Sequence, residues 1–241
     1  MPTRQKIRRG LILCSFFIFP VILFYFSPFL ILQATLNGVV NGSFIVFSLL
    51  LLGALLLGRA YCGWLCPGAG CQEAIATART KTVTKANFTK WLIWIPWVSA
   101  IIILAIRRGG YERIDFFYGT LHGLSVTGVQ PLIIYLSVLS LIVVPSFLVG
   151  KRSFCHHICW MSPFMISGRK IRNMFNWPSL QLTATGSNCT HCHTCTQNCP
   201  MSLPVEKMVK QSKMENAECI LCGSCVDGCK SNAVQFTFDR R

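Results

Sequence analysis

Residues 11–57 contain no Asp, Glu, Lys or Arg, and this uncharged run limits how the chain can fold more than any other feature. Uncharged apolar runs of about 17–25 residues are typical of membrane-spanning helices. The first run is too long, and too free of small-residue cleavage sites, to be a signal peptide, so we expect it to remain as an anchor. Four transmembrane helices are predicted: Leu11–Leu32, Val39–Leu57, Phe88–Ile106 and Pro131–Val149.

Basic residues cluster next to one end of these helices and explain most of the net charge of +15. Cytoplasmic loops are rich in Lys and Arg, so the pattern predicts a multi-pass protein of the cytoplasmic (inner) membrane with both termini in the cytoplasm. The surplus would also contact anionic lipids of the bilayer. No groove-reading motif accompanies it, so nucleic acid is not an expected partner. The residues are Arg4, Lys6, Arg8 and Arg9, then Arg59, Arg79, Lys81, Lys85 and Lys90, then Lys151, Arg152, Arg169, Lys170 and Arg172.

The C-terminal tail contains the cysteine run C-x₂-C-x₂-C-x₃-C twice, as "CTHCHTCTQNCP" and "CILCGSCVDGCK". Thiols in a reducing compartment indicate metal rather than disulfides. In this spacing three close cysteines bind one [4Fe–4S] cluster and the fourth ligates the other cluster. Two clusters are therefore predicted, one on Cys189, Cys192, Cys195 and Cys229, the other on Cys219, Cys222, Cys225 and Cys199.

Local details of the tail fit this prediction. Gly223 and Gly228 should let the backbone turn closely around the sulfurs. Lys230 follows the second run where proline is usual. The alternating segment Ala233–Phe238 predicts a short strand.

Two other metal chemistries compete for the same cysteines. Residues 189–193 also fit the C-x-x-C-H pattern of covalent haem attachment. That chemistry belongs to the opposite side of the membrane and leaves Cys195 and Cys199 unexplained, so no haem is expected. Zinc ligands usually come as separated C-x₂-C pairs, which disfavours zinc. His191 and His193 are expected to face outward from the loop.

The membrane half repeats a different motif, C-x₃-C, in "GRAYCGWLCPGAG" and "GKRSFCHHICWMSPF". Each copy follows a predicted hairpin of two helices, so the halves are expected to be parallel repeats about an axis along the membrane normal. At positions i and i+4 of a helical turn, the two sulfurs of each pair should share a face. The axis would then bring together Cys62, Cys66, Cys155 and Cys159.

Three roles are open for these four cysteines: a third iron–sulfur cluster, a redox thiol pair, or a structural role. Cys71 could be a fifth ligand or a buried thiol. Cys14 lies inside the first span and needs no function.

The predicted fold is a mainly α membrane protein with four transmembrane helices in two parallel helical-hairpin repeats. A small α+β bacterial-type 2[4Fe–4S] ferredoxin domain follows. Residues 1–172 form the membrane domain, 173–185 a linker and 186–241 the ferredoxin domain.

This combination of spans, C-x₃-C pairs and a double four-cysteine tail resembles the NapH-type membrane ferredoxins over nearly the whole chain. Those proteins are related to the nitrous oxide reductase maturation protein NosR and to the cytochrome oxidase accessory ferredoxins. The resemblance implies electron transfer between a quinone pool or redox partner and a reductase system, with other redox subunits as partners and a quinol dehydrogenase as one candidate complex. One departure is that Trp160-Met161-Ser162-Pro163 follows Cys159, whereas Pro67 follows Cys66 directly.

The chain shows no phosphate-binding glycine loop, nucleophile elbow or paired-carboxylate motif. The first hypothesis is therefore an electron conduit between a cytoplasmic carrier or partner, the clusters, and the quinone pool or a membrane or extracytoplasmic partner. The alternatives are an assembly or maturation factor that reduces a metal or thiol on a client reductase, and a redox sensor. Whether the chain is itself an enzyme stays open.

A quinone site is harder to predict from the sequence. Tyr111, Asp115 and His122 in the loop after the third span could hydrogen-bond a quinone head, although packing in the interfacial aromatic belt is the favoured interpretation. Glu73 is expected to be a solvated interfacial carboxylate.

Overall fold

The computed structural model describes residues 2–78, 81–83 and 87–240, which are mainly helical. Its first apolar segment is interrupted: helix α1 (Thr3–Ile22) leads through a 3₁₀ turn (Leu23–Phe26) into helix α2 (Pro28–Leu36). The break has a local cause. The hydroxyl of Ser27 accepts a hydrogen bond from the Leu30 N–H at 3.3 Å and caps α2, and Pro28 occupies the first turn, where its missing N–H costs nothing.

Three apolar segments in the described chain are long enough to cross a membrane. They are Thr3–Leu36, helix α6 (Thr89–Arg108) and helix α7 (Val129–Leu148). Helix α3 (Gly42–Leu57) is equally apolar but has 16 residues, so it spans about 24 Å against a hydrocarbon thickness of about 30 Å. The predicted four spans thus correspond to three full-length segments and one shorter apolar helix.

The two halves of the membrane domain share an order of elements. After α3 come the short helix α4 (Ala60–Trp64) and helix α5 (Pro67–Ala78). After α7 come the short helix α8 (Ser153–His157) and helix α9 (Ser162–Phe175). Helices also pack across the two halves: α9 of the second half packs on α3 of the first, and α5 of the first half packs on α7 of the second as well as on α1.

Small residues allow this close packing of helices, as they commonly do in membranes. A Cβ on Gly168 of α9 would lie 2.7 Å from the Leu51 carbonyl oxygen on α3. A Cβ on Gly70 of α5 would lie 2.9 Å from the Ile12 carbonyl oxygen on α1. At the opposite end of the bundle, strand β1 (Val39–Asn41) pairs in parallel with strand β2 (Arg113–Asp115) and ties the halves together.

The C-terminal module is built around an antiparallel pair of strands, β3 (Ser179–Ala184) and β4 (Val234–Asp239). Three short helices complete it: α10 (Thr194–Gln197), α11 (Val205–Lys210) and α12 (Ser224–Asp227). The strand predicted near the C-terminus is confirmed. The segment 173–185, predicted as a linker, instead contains the end of α9 and all of β3.

Buried ion pairs join the C-terminal module to the membrane helices. Glu218 accepts from Arg59 Nη1 at 2.8 Å and from Lys90 Nζ at 2.6 Å, while Glu215 accepts from Arg169 Nη2 at 2.6 Å. These three basic residues therefore pair within the protein and are not the lipid contacts that the sequence predicted, while their role as topology signals stays a prediction. Arg79 and Lys85 lie outside the described residues.

These contacts also group the chain segments. Gln5, near the start of α1, donates to the Cys222 carbonyl at 3.0 Å, Arg59 follows α3, Lys90 lies in the first turn of α6, and Arg152 follows α7. Arg59 and Lys90 pair with Glu218 of the C-terminal module, while Gln5 and Arg152 lie close to its Cys222. The N-terminus, the segment between α3 and α6, and the tail therefore share one end of the helix bundle.

Candidate iron–sulfur sites

The inner site of the C-terminal module groups one cysteine of the first run with three of the second. Cys199, Cys219, Cys222 and Cys225 line one cavity. Burial, together with the nearby Cys222, raises the pKa of the Cys199 thiol to about 11 and that of Cys219 to about 12. This grouping is the crossed arrangement that the spacing of the two runs predicts.

The outer site holds the remaining four cysteines of the module: Cys189, Cys192, Cys195 and Cys229 line a second cavity. Cys192 is exposed and the other three are half-buried. Hydrogen bonds from Thr194 lower the pKa of Cys192, whereas burial raises that of Cys195. This site is therefore the more accessible of the two.

Both sites use the same loop geometry. The backbone is left-handed at His191 and His193 of the first run, and again at the equivalent Leu221 and Gly223 of the second run. Glycine is favoured at position 223, where φ is +75° and a Cβ would lie 3.0 Å from the Phe236 ring. His191 and His193 are exposed, as predicted.

The sequence suggested that each C-x₃-C motif is a single helical turn, and the structure differs. The first cysteine of each lies in a short helix, α4 or α8, and the second follows the end of that helix. In the first motif the N–H groups of Leu65 and Cys66 both bond the Tyr61 carbonyl, at 2.9 and 3.0 Å. In the second motif two successive N–H groups bond the Phe154 carbonyl in the same way, at 3.0 and 2.9 Å. The repeat is thus present in the backbone as well as in the sequence.

The four cysteines of these motifs converge, and we call the place where they meet the juxtamembrane site. Each is buried. Burial raises the pKa of Cys66 well above its usual range, and negative charge at the other three thiols raises it further. Burial and the same neighbours raise the pKa of Cys159 to about 12. The site comprises Cys62, Cys66, Cys155 and Cys159.

The two remaining cysteines lie elsewhere. Cys71 is buried on α5, beside Tyr135 of α7. A fifth-ligand role for Cys71 stays a prediction. Cys14 is exposed on α1.

Two arginines flank the juxtamembrane site from equivalent positions of the repeat, three residues before the first cysteine. Arg59 and Arg152 are 1 % and 0 % exposed. Burial disfavours their charge, but Glu218 with the thiols near Arg59, and Glu73 with those near Arg152, outweigh it and raise both pKa values. Arg152 lies within electrostatic reach of Cys155 and also of Cys222. It therefore stands between the juxtamembrane and inner sites.

Glu73 is not the solvated carboxylate predicted from the sequence. Its oxygens pair with Arg152 Nη2 and with both terminal nitrogens of Arg8, at 2.7 and 2.8 Å. Burial would raise the pKa of Glu73, but the two arginines hold it below its usual value. Glu73 thus neutralises one arginine from each half of the membrane domain.

The donor set of the juxtamembrane site fits a negatively charged metal cluster. Three buried guanidinium nitrogens beside the cysteines have no hydrogen-bond partner: Nε and Nη2 of Arg59 and Nε of Arg152. A cluster held by four thiolates carries negative charge and sulfur acceptors, which these nitrogens could satisfy. Across residues 2–78, 81–83 and 87–240, no three His, Cys, Asp or Glu side chains are placed to hold a single metal ion.

The inner site is docked directly on the first C-x₃-C motif. A Cβ on Gly63 would lie less than 3.0 Å from the Ile220 carbonyl oxygen and 3.4 Å from the backbone nitrogen of Cys222. The Trp64 indole donates to the Leu221 carbonyl at 3.0 Å. The turn after Cys62 and the loop before Cys222 are therefore in van der Waals contact.

The candidate quinone ligands are engaged in local contacts. The Tyr111 hydroxyl lies 3.2 Å from Thr35 Oγ1, and its ring packs on Phe44. Asp115 lies in β2 and accepts from the Phe117 N–H at 3.1 Å. These contacts agree with a loop that packs its own aromatic residues.

Two iron–sulfur family models match the chain at these sites. The 4Fe-4S dicluster domain matches residues 188–234, which contain all eight cysteines of the inner and outer sites. The 4Fe-4S binding domain matches twice, at residues 42–82 and 131–170, and each match contains one C-x₃-C motif. The chain therefore carries iron–sulfur domain matches in both of its halves.

Several curated proteins are similar to the chain. An uncharacterised protein of Methanocaldococcus jannaschii is 28% identical over 192 residues, which cover 76% of this chain and 74% of that protein. The putative electron transport protein YccM of Escherichia coli is 25% identical over 207 residues, covering 78% of this chain and 51% of YccM. The methylamine utilization ferredoxin-type protein MauN of Methylobacillus flagellatus is 28% identical over 185 residues, covering 72% and 60%.

No solved structure gave a significant match to the chain. The comparisons support bound iron–sulfur clusters and a ferredoxin-like family, and they do not single out the NapH type.

Sequence reasoning missed the two buried arginines as parts of the site, because it counted them only as topology signals. The available signal was their register: Arg59 and Arg152 each precede the first cysteine of their motif by three residues. A charge repeated at a fixed offset from a ligand in both halves indicates a role at the ligand.

Proposed function

We propose that the chain is a membrane-bound iron–sulfur protein that conducts electrons between a cytoplasmic carrier or partner and the quinone pool or a membrane redox partner. Iron–sulfur clusters bound at its cysteines would supply one-electron carriers. The observation that carries the proposal is the contact between the inner site and the first C-x₃-C motif at Gly63. Through it the outer, inner and juxtamembrane sites form one continuous series.

The exposure of the sites gives the series a direction in space. Cys192 at the outer site is open to solvent, where a soluble partner could approach. The inner site is more buried, and the juxtamembrane cysteines are buried at the end of the helix bundle. An electron conduit needs an accessible terminal and protected intermediate sites, and the exposure of the three sites supports this order.

The proposed ligands follow the grouping of the thiols. Cys189, Cys192, Cys195 and Cys229 would hold one [4Fe–4S] cluster, and Cys199, Cys219, Cys222 and Cys225 a second. Cys62, Cys66, Cys155 and Cys159 would hold a third cluster, with Arg59 and Arg152 balancing its charge.

We further propose four crossings of the membrane, with α3 as the short one and both termini in the cytoplasm. The grouping of the N-terminus, the segment after α3 and the tail at one end of the bundle supports an even number of crossings. The lipid bilayer, other redox subunits and quinone are the proposed partners. YccM and MauN, described as an electron transport protein and a ferredoxin-type protein, agree with this class of function.

The maturation-factor alternative would need thiols that a client protein can reach. Each of the four juxtamembrane cysteines is buried, and even the most exposed of them, Cys66, is only 6 % exposed. Their burial favours a protected relay site over direct reduction of a client.

Iron and acid-labile sulfide analysis of the anaerobically purified full-length protein tests the proposal. Two [4Fe–4S] clusters account for about eight irons per chain, so a third cluster should give about ten to twelve, depending on its type. Cys155→Ser should remove only the excess over eight, and Cys222→Ser should remove iron from the inner site. Cys14→Ser is the control, because Cys14 is exposed and apart from all three sites. About eight irons with six titratable thiols in the wild-type protein, the four juxtamembrane cysteines together with Cys14 and Cys71, would refute the third site.

A further inference from the structure

The side-chain amide of Gln72 points at a sulfur of the juxtamembrane site. Gln72 lies on α5, six residues after the first C-x₃-C motif, and is 1 % exposed. Its Nε2 lies 3.2 Å from Cys155 Sγ, in the second half of the repeat. An amide from one half of the protein therefore donates to a cysteine of the other.

The orientation of this amide is determined by its other partners. Nε2 also donates to the Gly68 carbonyl at 3.0 Å, and a carbonyl can only accept, so the nitrogen must face it. On the other side, the Ser146 hydroxyl of α7 shares its single proton between the Ile142 carbonyl at 2.8 Å and Gln72 Oε1 at 3.2 Å. Both amide protons and the amide oxygen thus have partners, and the second proton is directed at the sulfur.

We propose that Gln72 is a positioning residue that tunes the reduction potential of the cluster at the juxtamembrane site. This inference rests on the proposed third cluster. Reduction adds negative charge to a cluster and its thiolate ligands, and a hydrogen bond to a ligand sulfur stabilises that charge. The Gln72 amide therefore raises the potential of the juxtamembrane cluster. Ser146 holds the amide in the donating orientation.

A purely structural role for Gln72 predicts something different. If the amide only fills space between α5 and α7, a side chain of similar length would restore packing and leave the potential unchanged. Gln72→Met makes this distinction, because methionine is similar in size and flexible but has no N–H to donate.

The experiment is an EPR-monitored redox titration of the anaerobic full-length protein. The juxtamembrane signal is identified as the one that Cys155→Ser removes. Gln72→Met should lower the equilibrium constant for one-electron reduction of that signal by about tenfold, which is about 59 mV for one electron. The signals of the inner and outer sites should keep their potentials.

Ser146→Ala provides a second variant that removes one oxygen and keeps the ligands and the amide. It should shift the same potential in the same direction by a smaller amount. Ser137→Ala is its matched control, because Ser137 lies on the same helix and bonds the carbonyl four residues before it, as Ser146 does. The control should leave all potentials unchanged.

The outcomes separate the inference from the function it depends on. Wild-type potentials in both Gln72→Met and Ser146→Ala, at full iron content, would overturn the inference alone. A wild-type protein with about eight irons and no juxtamembrane signal would overturn the third cluster and the inference together. If Gln72→Met fails to retain iron at the site, the potential of Ser146→Ala decides.

Discussion

Replacement of Gly63 by alanine tests whether the inner site must sit directly on the first C-x₃-C motif. The new Cβ would lie less than 3.0 Å from the Ile220 carbonyl oxygen, and ordinary contacts begin near 3.4 Å, so the two surfaces must separate by at least about 0.4 Å. The obstructing atoms are backbone and cannot rotate away. Overpacking of this kind costs about 1–3 kcal/mol.

That cost falls on the docking of the C-terminal module. The Gly63 carbonyl accepts from Arg8 Nη1 at 3.1 Å, and the neighbouring Trp64 indole bonds Leu221, so both contacts should loosen. A cost of 1–3 kcal/mol corresponds to about a 5–150-fold shift toward the undocked state. Rapid mixing of reductant with the oxidised protein should show slower reduction of the juxtamembrane signal, with the outer signal reduced at the wild-type rate.

Gly53→Ala is the control for this substitution, since Gly53 lies inside α3 and a Cβ there would meet nothing within 4 Å. It should leave the rate unchanged and stability equal or slightly higher. In the Gly63→Ala protein, reduction of the juxtamembrane cluster at the wild-type rate, with a wild-type thermal midpoint, would show that the contact at Gly63 is not the route between the sites.

Two further predictions concern the ion pairs and the outer site. Glu218→Gln leaves Arg59 and Lys90 buried without a counter-charge, which should destabilise the protein by about 3–5 kcal/mol in thermal or denaturant unfolding. The control is Glu112→Gln, which removes an exposed pair with Arg108 and should have no measurable effect. An iron chelator should remove iron first from the outer site, because Cys192 is exposed while Cys222 and Cys225 are buried; simultaneous loss from both sites, followed by EPR, would contradict the assigned exposure.

The parts of this fold that depend on local pattern could be predicted from the sequence. The two four-cysteine runs predicted the pairing of Cys199 with the second run, because ligand spacing alone determines which thiols can reach one cluster. The repeated C-x₃-C motif predicted that four cysteines from distant parts of the chain would meet. The final strand was predicted from its alternation.

Other features depend on contacts that no local pattern reports. The strand β3 has its own alternation at Leu180 and Leu182, but it was hidden in a segment interpreted as a linker, and its partner lies more than fifty residues later. The burial of charged side chains is harder still to predict. Buried Arg152 and half-buried Glu73 look like surface residues in the sequence, since charged side chains are rarely buried unless they are paired, and the pairs here are long-range.

The carboxylates that pair with the two repeated arginines explain why the tail is part of the membrane domain rather than a separable ferredoxin. Arg152 is neutralised by Glu73, from the first half of the membrane domain, whereas its counterpart Arg59 depends on Glu218, from the tail. A chain cut after the membrane domain would leave Arg59 and Lys90 with no counter-charge, and burying unpaired charge is strongly unfavourable. A tail that begins at residue 186 would in turn lose strand β3, the partner of β4. Each part therefore completes the other, and the inner and juxtamembrane sites are stabilised by the same ion pairs that hold them in contact.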